Sequence, residues 1–287
     1  MLNPYPRNIM RNFSVLFFGV RFVCALALTL AATVCAASAK DIAPVGEKVA
    51  VDAQGRAIYQ VEGNGIRIGY KLIGSGEPLL LLTGLGCTMD RWTPEFIGEA
   101  SKKYQLIVMD NRGMGYTTDN GVKFSYELFS QDVISLLDAL GVAKTNVLGY
   151  SQSSVTTQNL LLYHQNRVGK AVIHATSING KAVAAAFKGI DLPDNPTIKK
   201  QLLAAMDWES PLDKMPLIKN QVMLLVGTAD NIVGTESSNT LARLIPGAWL
   251  VQFKNGTHHL QFEAPAEFSR IVLTFLEMNE TVPTRPQ

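Results

Sequence analysis

The chain has 287 residues, with 26 Lys and Arg against 24 Asp and Glu, a formal charge of +2. Arg7, Arg11 and Arg21 fall in residues 1–39, which contain no acid; the remainder therefore has 23 basic against 24 acidic side chains and no basic footprint for a nucleic acid. At 47% apolar and 17% charged residues the composition excludes a disordered chain, and the length suits one large domain or two small ones.

In chain order, the first feature reads as an export signal. The basic stretch precedes an apolar run over 22–34 and small residues ending Ala37-Ser38-Ala39, so cleavage is expected after Ala39 and the mature protein is expected in the periplasm or secreted. An uncleaved anchor is the alternative, because residues 22–39 approach the ~17–25 needed to cross a bilayer; only then would a membrane be a partner. Cys24 and Cys35 lie in this leader, so Cys87 is left alone and no intramolecular disulfide is expected. Residues 40–287 then form the domain, with a frayed tail over 281–287.

From Glu47 to Gly74, apolar and polar residues alternate between turn signals such as Asp52-Ala53-Gln54-Gly55 and Glu62-Gly63-Asn64-Gly65, which predicts a meander of antiparallel strands. After Pro78 the runs become short and wholly apolar, at 79–82, 106–109, 145–148, 171–173 and 222–226, as strands buried on both faces require. Helical patterns separate them, at 91–103, 126–140 and 153–163, and later at 237–244 and 266–278. This alternation predicts an α/β fold with a mostly parallel central sheet and helices on both faces. In such sheets the chemistry sits in loops beyond the carboxyl ends of the strands.

Four of those loops are informative. After the strand at 145–148 comes Gly149-Tyr150-Ser151-Gln152-Ser153, close to GxSxG, the sharp turn that lifts a serine to the start of a helix. A serine helix cap is the alternative reading of this pentapeptide. The strand at 222–226 leads into Gly227-Thr228-Ala229-Asp230, and the strand Trp249–Phe253 into Gly256-Thr257-His258-His259. Serine, acid and histidine in this order suit nucleophilic catalysis, with histidine accepting the serine proton and the acid orienting it. His164 and His174 fall within a helix and a strand, where structural roles are expected.

These residues resemble the α/β-hydrolase superfamily from about Ile66 to Leu276. Thr83-Gly84-Leu85-Gly86 with Trp92 is similar to the family's HGxG oxyanion loop, and Asp110-Asn111-Arg112-Gly113-Met114-Gly115 to its DxRGxG turn. His258, Glu263 and Pro265 repeat the family spacing of histidine, glutamate and proline, which selects His258 over His259, and Asp230 matches the family acid. The resemblance implies Ser151 as nucleophile, His258 as base, Asp230 as its orienting acid, and the backbone N–H groups of Leu85 and Gln152 as the oxyanion hole. It implies neither metal nor organic cofactor. Relatives that dehalogenate alkanes or open epoxides use aspartate at the elbow, where this chain has Ser151. Thr83 departs from the family histidine and Ser153 from its glycine, which puts the geometry of the oxyanion loop in question.

Residues 177–220 lie between two core strands and are expected to hold a short helical lid, with helices around 181–188 and 196–208 and a turn at Asp191-Leu192-Pro193-Asp194. Its shortness predicts a fairly open pocket, with Met206 and Trp208 as candidate lining; packing is the other reading for both. Cys87, near the expected site, reads as a buried filler more than a reactive thiol. The expected function is an exported serine hydrolase that cleaves a small carboxylic ester through an acyl-enzyme. The alternatives are a non-catalytic binding protein of the same fold, or an amidase or aminopeptidase of the superfamily.

Overall fold

Strands buried on both faces need apolar residues at every position, and this requirement organises the core. The structure, a computed structural model, describes residues 41–190 and 193–279, which fall within a single unit, Ser38–Gln287. The leader expected over 1–39, the tail over 281–287, and Asp191 and Leu192 of the expected turn lie outside the described residues. Among the described residues, no helix is long and apolar enough to cross a membrane.

Among the described residues the sheet has nine strands: β1 (Glu47–Val51), β2 (Ala57–Gly63), β3 (Ile66–Ile73), β4 (Glu77–Leu82), β5 (Tyr104–Met109), β6 (Thr145–Tyr150), β7 (Val168–His174), β8 (Val222–Gly227) and β9 (Trp249–Phe253). Their spatial order is β1-β2-β3-β5-β4-β6-β7-β8-β9. The first three form the antiparallel meander, β3 pairs antiparallel with β5, and from β5 to β9 every pairing is parallel.

Period-two alternation divides each parallel strand between two cores. Leu80, Leu82, Ile107, Val147, Ile173 and Leu224 pack on one face, with Val133 and Leu136 of α2 (Tyr126–Ala139), Leu160 of α3 (Gln152–Tyr163) and Leu241 of α6 (Glu236–Leu244). Leu79, Leu81, Val108, Leu148, Val172 and Leu225 pack on the other, against Phe96 of α1 (Pro94–Ala100) and Phe268, Val272 and Phe275 of α7 (Pro265–Glu277). Each fully buried side chain of this size contributes about 1.5–3 kcal/mol relative to exposure.

Local chemistry sets the helix starts. Helix α1 begins at Pro94, later than the expected 91, because Thr93 Oγ1 accepts from Phe96 N at 3.3 Å and Pro suits the first turn. Ser125 caps α2 through Leu128 N.

Between β7 and β8 the chain makes an insertion with helices α4 (Gly180–Ala186) and α5 (Pro196–Met206). Gln158 of α3, fully buried, holds both of its ends. Its Nε2 donates to Thr176 Oγ1 at 2.7 Å and Ser177 O at 3.0 Å, and its Oε1 accepts from Ser210 Oγ at 3.0 Å.

The DxRGxG-like turn is a structural hub. Arg112 is buried and clamps Asp132 of α2 through Nε at 2.9 Å and Nη2 at 2.5 Å, while its other nitrogens reach Asn120 Oδ1 and Asn64 O. Burial pushes the Asp132 carboxyl up although Arg112 and Asn64 bond to it, so the pair depends on remaining matched. Arg112→Met leaves that carboxylate buried and unpaired, and is expected to lower unfolding stability by about 3–5 kcal/mol in urea titration; a change under about 1 kcal/mol contradicts the hub.

Candidate active site

Strand β6 is central, and β4 beside it is where the strand order reverses, so the loops after β4 and β6 diverge around a crevice at the sheet edge. Ser151 sits between β6 and α3 at φ 54° and ψ −119°. A non-glycine residue held there costs on the order of 1–3 kcal/mol. Ser151 N donates to His174 O at 2.9 Å. A Cβ on Gly149 would lie 2.2 Å from Thr157 Oγ1 and 2.3 Å from Ser153 O, so only glycine permits the close approach of β6 and α3. Although Ser151 occupies the cap position of α3, its side chain makes no capping bond. Its hydroxyl lies 2.8 Å from His258 Nε2 instead.

His258 and Asp230 come from the loops after β9 and β8. Those loops are zipped together: Thr228 N donates to Phe253 O at 2.9 Å and Ala229 N to Gly256 O at 2.8 Å. Gly227 allows the contact, since a Cβ there would fall 2.1 Å from Gly256 O. His258 Nδ1 lies 2.9 Å from Asp230 Oδ2. Asp230 Oδ1 accepts from Ile232 N at 2.9 Å and Val233 N at 3.0 Å. Burial would raise the Asp230 carboxyl, but the His258 bond and charge and the two backbone donors outweigh it and hold it below the usual range. An ionised Asp230 holds a proton on His258 Nδ1, which leaves Nε2 facing the Ser151 hydroxyl. Glu263 accepts from Thr257 N at 2.8 Å and from Thr257 Oγ1, which steadies the residue before His258. His259 turns aside, its Nδ1 2.6 Å from Tyr150 Oη.

The two departures from the family pattern meet each other. Ser153 Oγ donates to Thr83 O at 2.5 Å, and Asn111 Nδ2 reaches both Thr83 O at 3.0 Å and Ser153 Oγ at 3.2 Å. Helix α5 adds a second tie, with Gly86 N donating to Gln201 Oε1 at 2.9 Å. Among the described residues, the N–H groups of Leu85 and Gln152 make no intramolecular hydrogen bond, and both residues line a cavity with Ser151.

Two cavities meet at Ser151. The outer, about 300 Å³, is lined by Leu85, Cys87, Arg91, His258, His259 and Ile198, among others. The inner is a cleft of about 40 Å³ behind the serine. The pocket is therefore less open than its short insertion suggests, because Val183 and Ala205, from α4 and α5, and Phe187 just past α4 narrow the cleft. Met206 and Trp208 line neither cavity. Met206 is 40% exposed, and Trp208 packs edge-on against Tyr126 at 5.2 Å. Phe187 and Ile198 take the place expected for them, and an apolar stripe in a sequence does not say which of its members faces a site. Cys87 is half-buried with Sγ 3.5 Å from Leu85 O, and burial pushes its thiol up.

A parallel sheet reversing at β4, a serine on a tight strand-to-helix turn, and an acid and a histidine after later strands define the α/β-hydrolase class. The chain has the α/β-hydrolase fold, and the alpha/beta hydrolase fold family matches residues 77–204. It is 24% identical to the serine hydrolase BPHL of Mus musculus, over 82% of this chain and 91% of that one. Identity is also 24% to a putative non-heme bromoperoxidase, BpoC, of Mycobacterium tuberculosis, over 73% of this chain and 97% of that one. The enol-lactonase of Burkholderia xenovorans superposes with a TM-score of 0.67 at 21% identity, covering 76% of this chain and 100% of that chain. Likeness at this level carries the fold.

His174 supports the site from below. It stacks on Tyr150 with ring centroids 5.1 Å apart, and its ring nitrogens lie near Leu225 O and Gln261 Oε1. Burial lowers its pKa to about 4. The unfolded chain, with an ordinary histidine near 6.5, binds the extra proton first, so stability rises with pH across that window and falls as pH drops from 6.5 toward 4. His174→Gln is expected to flatten this part of the melting-temperature profile between pH 7 and pH 5. An unchanged slope contradicts a neutral buried His174.

Proposed function

We propose that the chain is a serine hydrolase acting on a small carboxylic ester, with Ser151 as nucleophile, His258 as general base and then general acid, and Asp230 orienting it. One observation carries the reading: His258 bridges Ser151 and Asp230 at 2.8 and 2.9 Å with a buried, ionised carboxylate behind it. His258 Nε2 takes the serine proton as Oγ attacks the ester carbonyl, and the imidazolium that forms is stabilised by Asp230. The tetrahedral oxyanion is met by the N–H groups of Leu85 and Gln152, each of which would supply about 2.7–4 kcal/mol of transition-state stabilisation. Proton return from His258 expels the alcohol, and a water activated by the same histidine releases the acid.

A binding protein with a collapsed oxyanion loop is disfavoured by the bond from Ser153 to Thr83 and by the Gly86 contact to Gln201, which tie that loop to α3 and α5. The hydrolase relatives, among them a serine hydrolase and an enol-lactonase, point in the same direction. Export of the mature protein to the periplasm or medium is part of the proposal and rests on the leader sequence alone.

Hydrolysis of a short-chain aryl ester by the purified domain checks the reading. Ser151→Ala is expected to abolish turnover, and Asp230→Asn to lower kcat about 10³–10⁴-fold, since it no longer fixes the tautomer. Full activity in Ser151→Ala contradicts the assignment.

A further inference from the structure

The two cavities at Ser151 have different neighbours, and this orients the substrate. His258 lines the outer cavity and not the inner cleft. The group that His258 protonates must face it, so, on the ester-hydrolase reading above, the alcohol occupies the outer cavity and the acyl chain enters the inner cleft.

That cleft is walled by Val155, Ala175, Val183 and Phe187, and besides Ser151 and Ser177, whose hydroxyls are bonded elsewhere, the polar residues Gln152 and Tyr126 line it. Gln152 is 6% exposed and neither its Oε1 nor its Nε2 has a hydrogen-bond partner. Tyr126 is 2% exposed, and among the described residues its O–H makes no hydrogen bond. Burial raises the Tyr126 pKa, so the phenol stays a donor at working pH. Native interiors leave few such groups unpaired, because each gives up its bonds to water. The buried, unpaired Gln152 amide, with the unbonded Tyr126 hydroxyl on the wall of the same cleft beside the reacting serine, matches a ligand that supplies their partner.

Charge and size narrow that ligand. No charged side chain lines the cleft, so a carboxylate or ammonium there would be desolvated without a counter-charge. At about 40 Å³ the cleft is far smaller than the ~300–1,000 Å³ of pockets that take drug-sized ligands, which limits the chain to a few heavy atoms. We propose that this cleft is an acyl subsite selecting a short acyl chain that carries an uncharged oxygen acceptor, hydrogen bonded by the Gln152 amide and the Tyr126 phenol.

The test compares para-nitrophenyl butanoate with para-nitrophenyl methoxyacetate, in which an ether oxygen replaces one chain methylene. Each kcat/KM is divided by the alkaline hydrolysis rate of that ester, which removes intrinsic reactivity. The native enzyme is expected to favour the methoxyacetate about tenfold, and Gln152→Leu and Tyr126→Phe each to cut that preference at least about threefold. Tyr126→Phe removes a single oxygen and so reads the preference even where Gln152→Leu disturbs the turn. A native preference near unity, or one unmoved in both variants, overturns the subsite while leaving the ester-hydrolase reading intact. Failure of the native enzyme to turn over either ester overturns that reading and the subsite with it.

Discussion

The carboxyl edge of the sheet depends on one constraint, the positive φ of Ser151. A β-strand that continued normally would bury this side chain in the sheet, and a normal helix start would spend it on a cap. Held at φ 54°, the residue does neither, and its hydroxyl projects into the crevice. The conformation persists because the surroundings over-determine it: the His174 carbonyl takes the backbone N–H, Gly149 lets α3 close against β6, and Gly84 leaves room for the Ser151 Cβ. The same turn leaves the Gln152 N–H at the first position of a helix, without an intrahelical acceptor and beside the serine.

Around this fixed point the loops are tied in pairs. The acid and histidine loops share backbone hydrogen bonds, so the distance from Asp230 to His258 is set by strands β8 and β9 and not by flexible side chains. The loop after β4 is tied to α3 by Ser153 and to α5 by Gln201. The insertion is anchored at both ends by Gln158, on the helix that Ser151 begins. Helix α3 thus connects Ser151, the loop after β4 and the insertion that narrows the cleft. A shift of α3 would move all three together, which favours a preorganised site.

Much of this fold is legible in the sequence, for definite reasons. Apolar runs such as those ending at Leu82, Met109 and Leu148 mark two-sided burial, and the turn residues between β1, β2 and β3 mark the meander. Chain order assigns Ser151, Asp230 and His258 to three separate loops after strands, but their mutual distances are a property of the folded sheet. Thr83 and Ser153 look like two independent defects in the motif until the structure joins them by a hydrogen bond between residues 70 positions apart. The cleft is the least legible part. Gln152 attracts notice as a backbone donor, but its unpaired amide is visible only once Val183, Phe187 and Ala205 close over it, and the exposure of Met206 follows from which face of α5 packs inward.

On the proposed reading, His258 and Asp230 make the Ser151 hydroxyl a nucleophile. The most direct measurement is reaction of the native protein with a fluorophosphonate, followed by peptide mass spectrometry. One stoichiometric adduct on Ser151 is expected, with labelling much slower in Asp230→Asn. Absence of an adduct, or an adduct on another residue at the same rate, would contradict that reading.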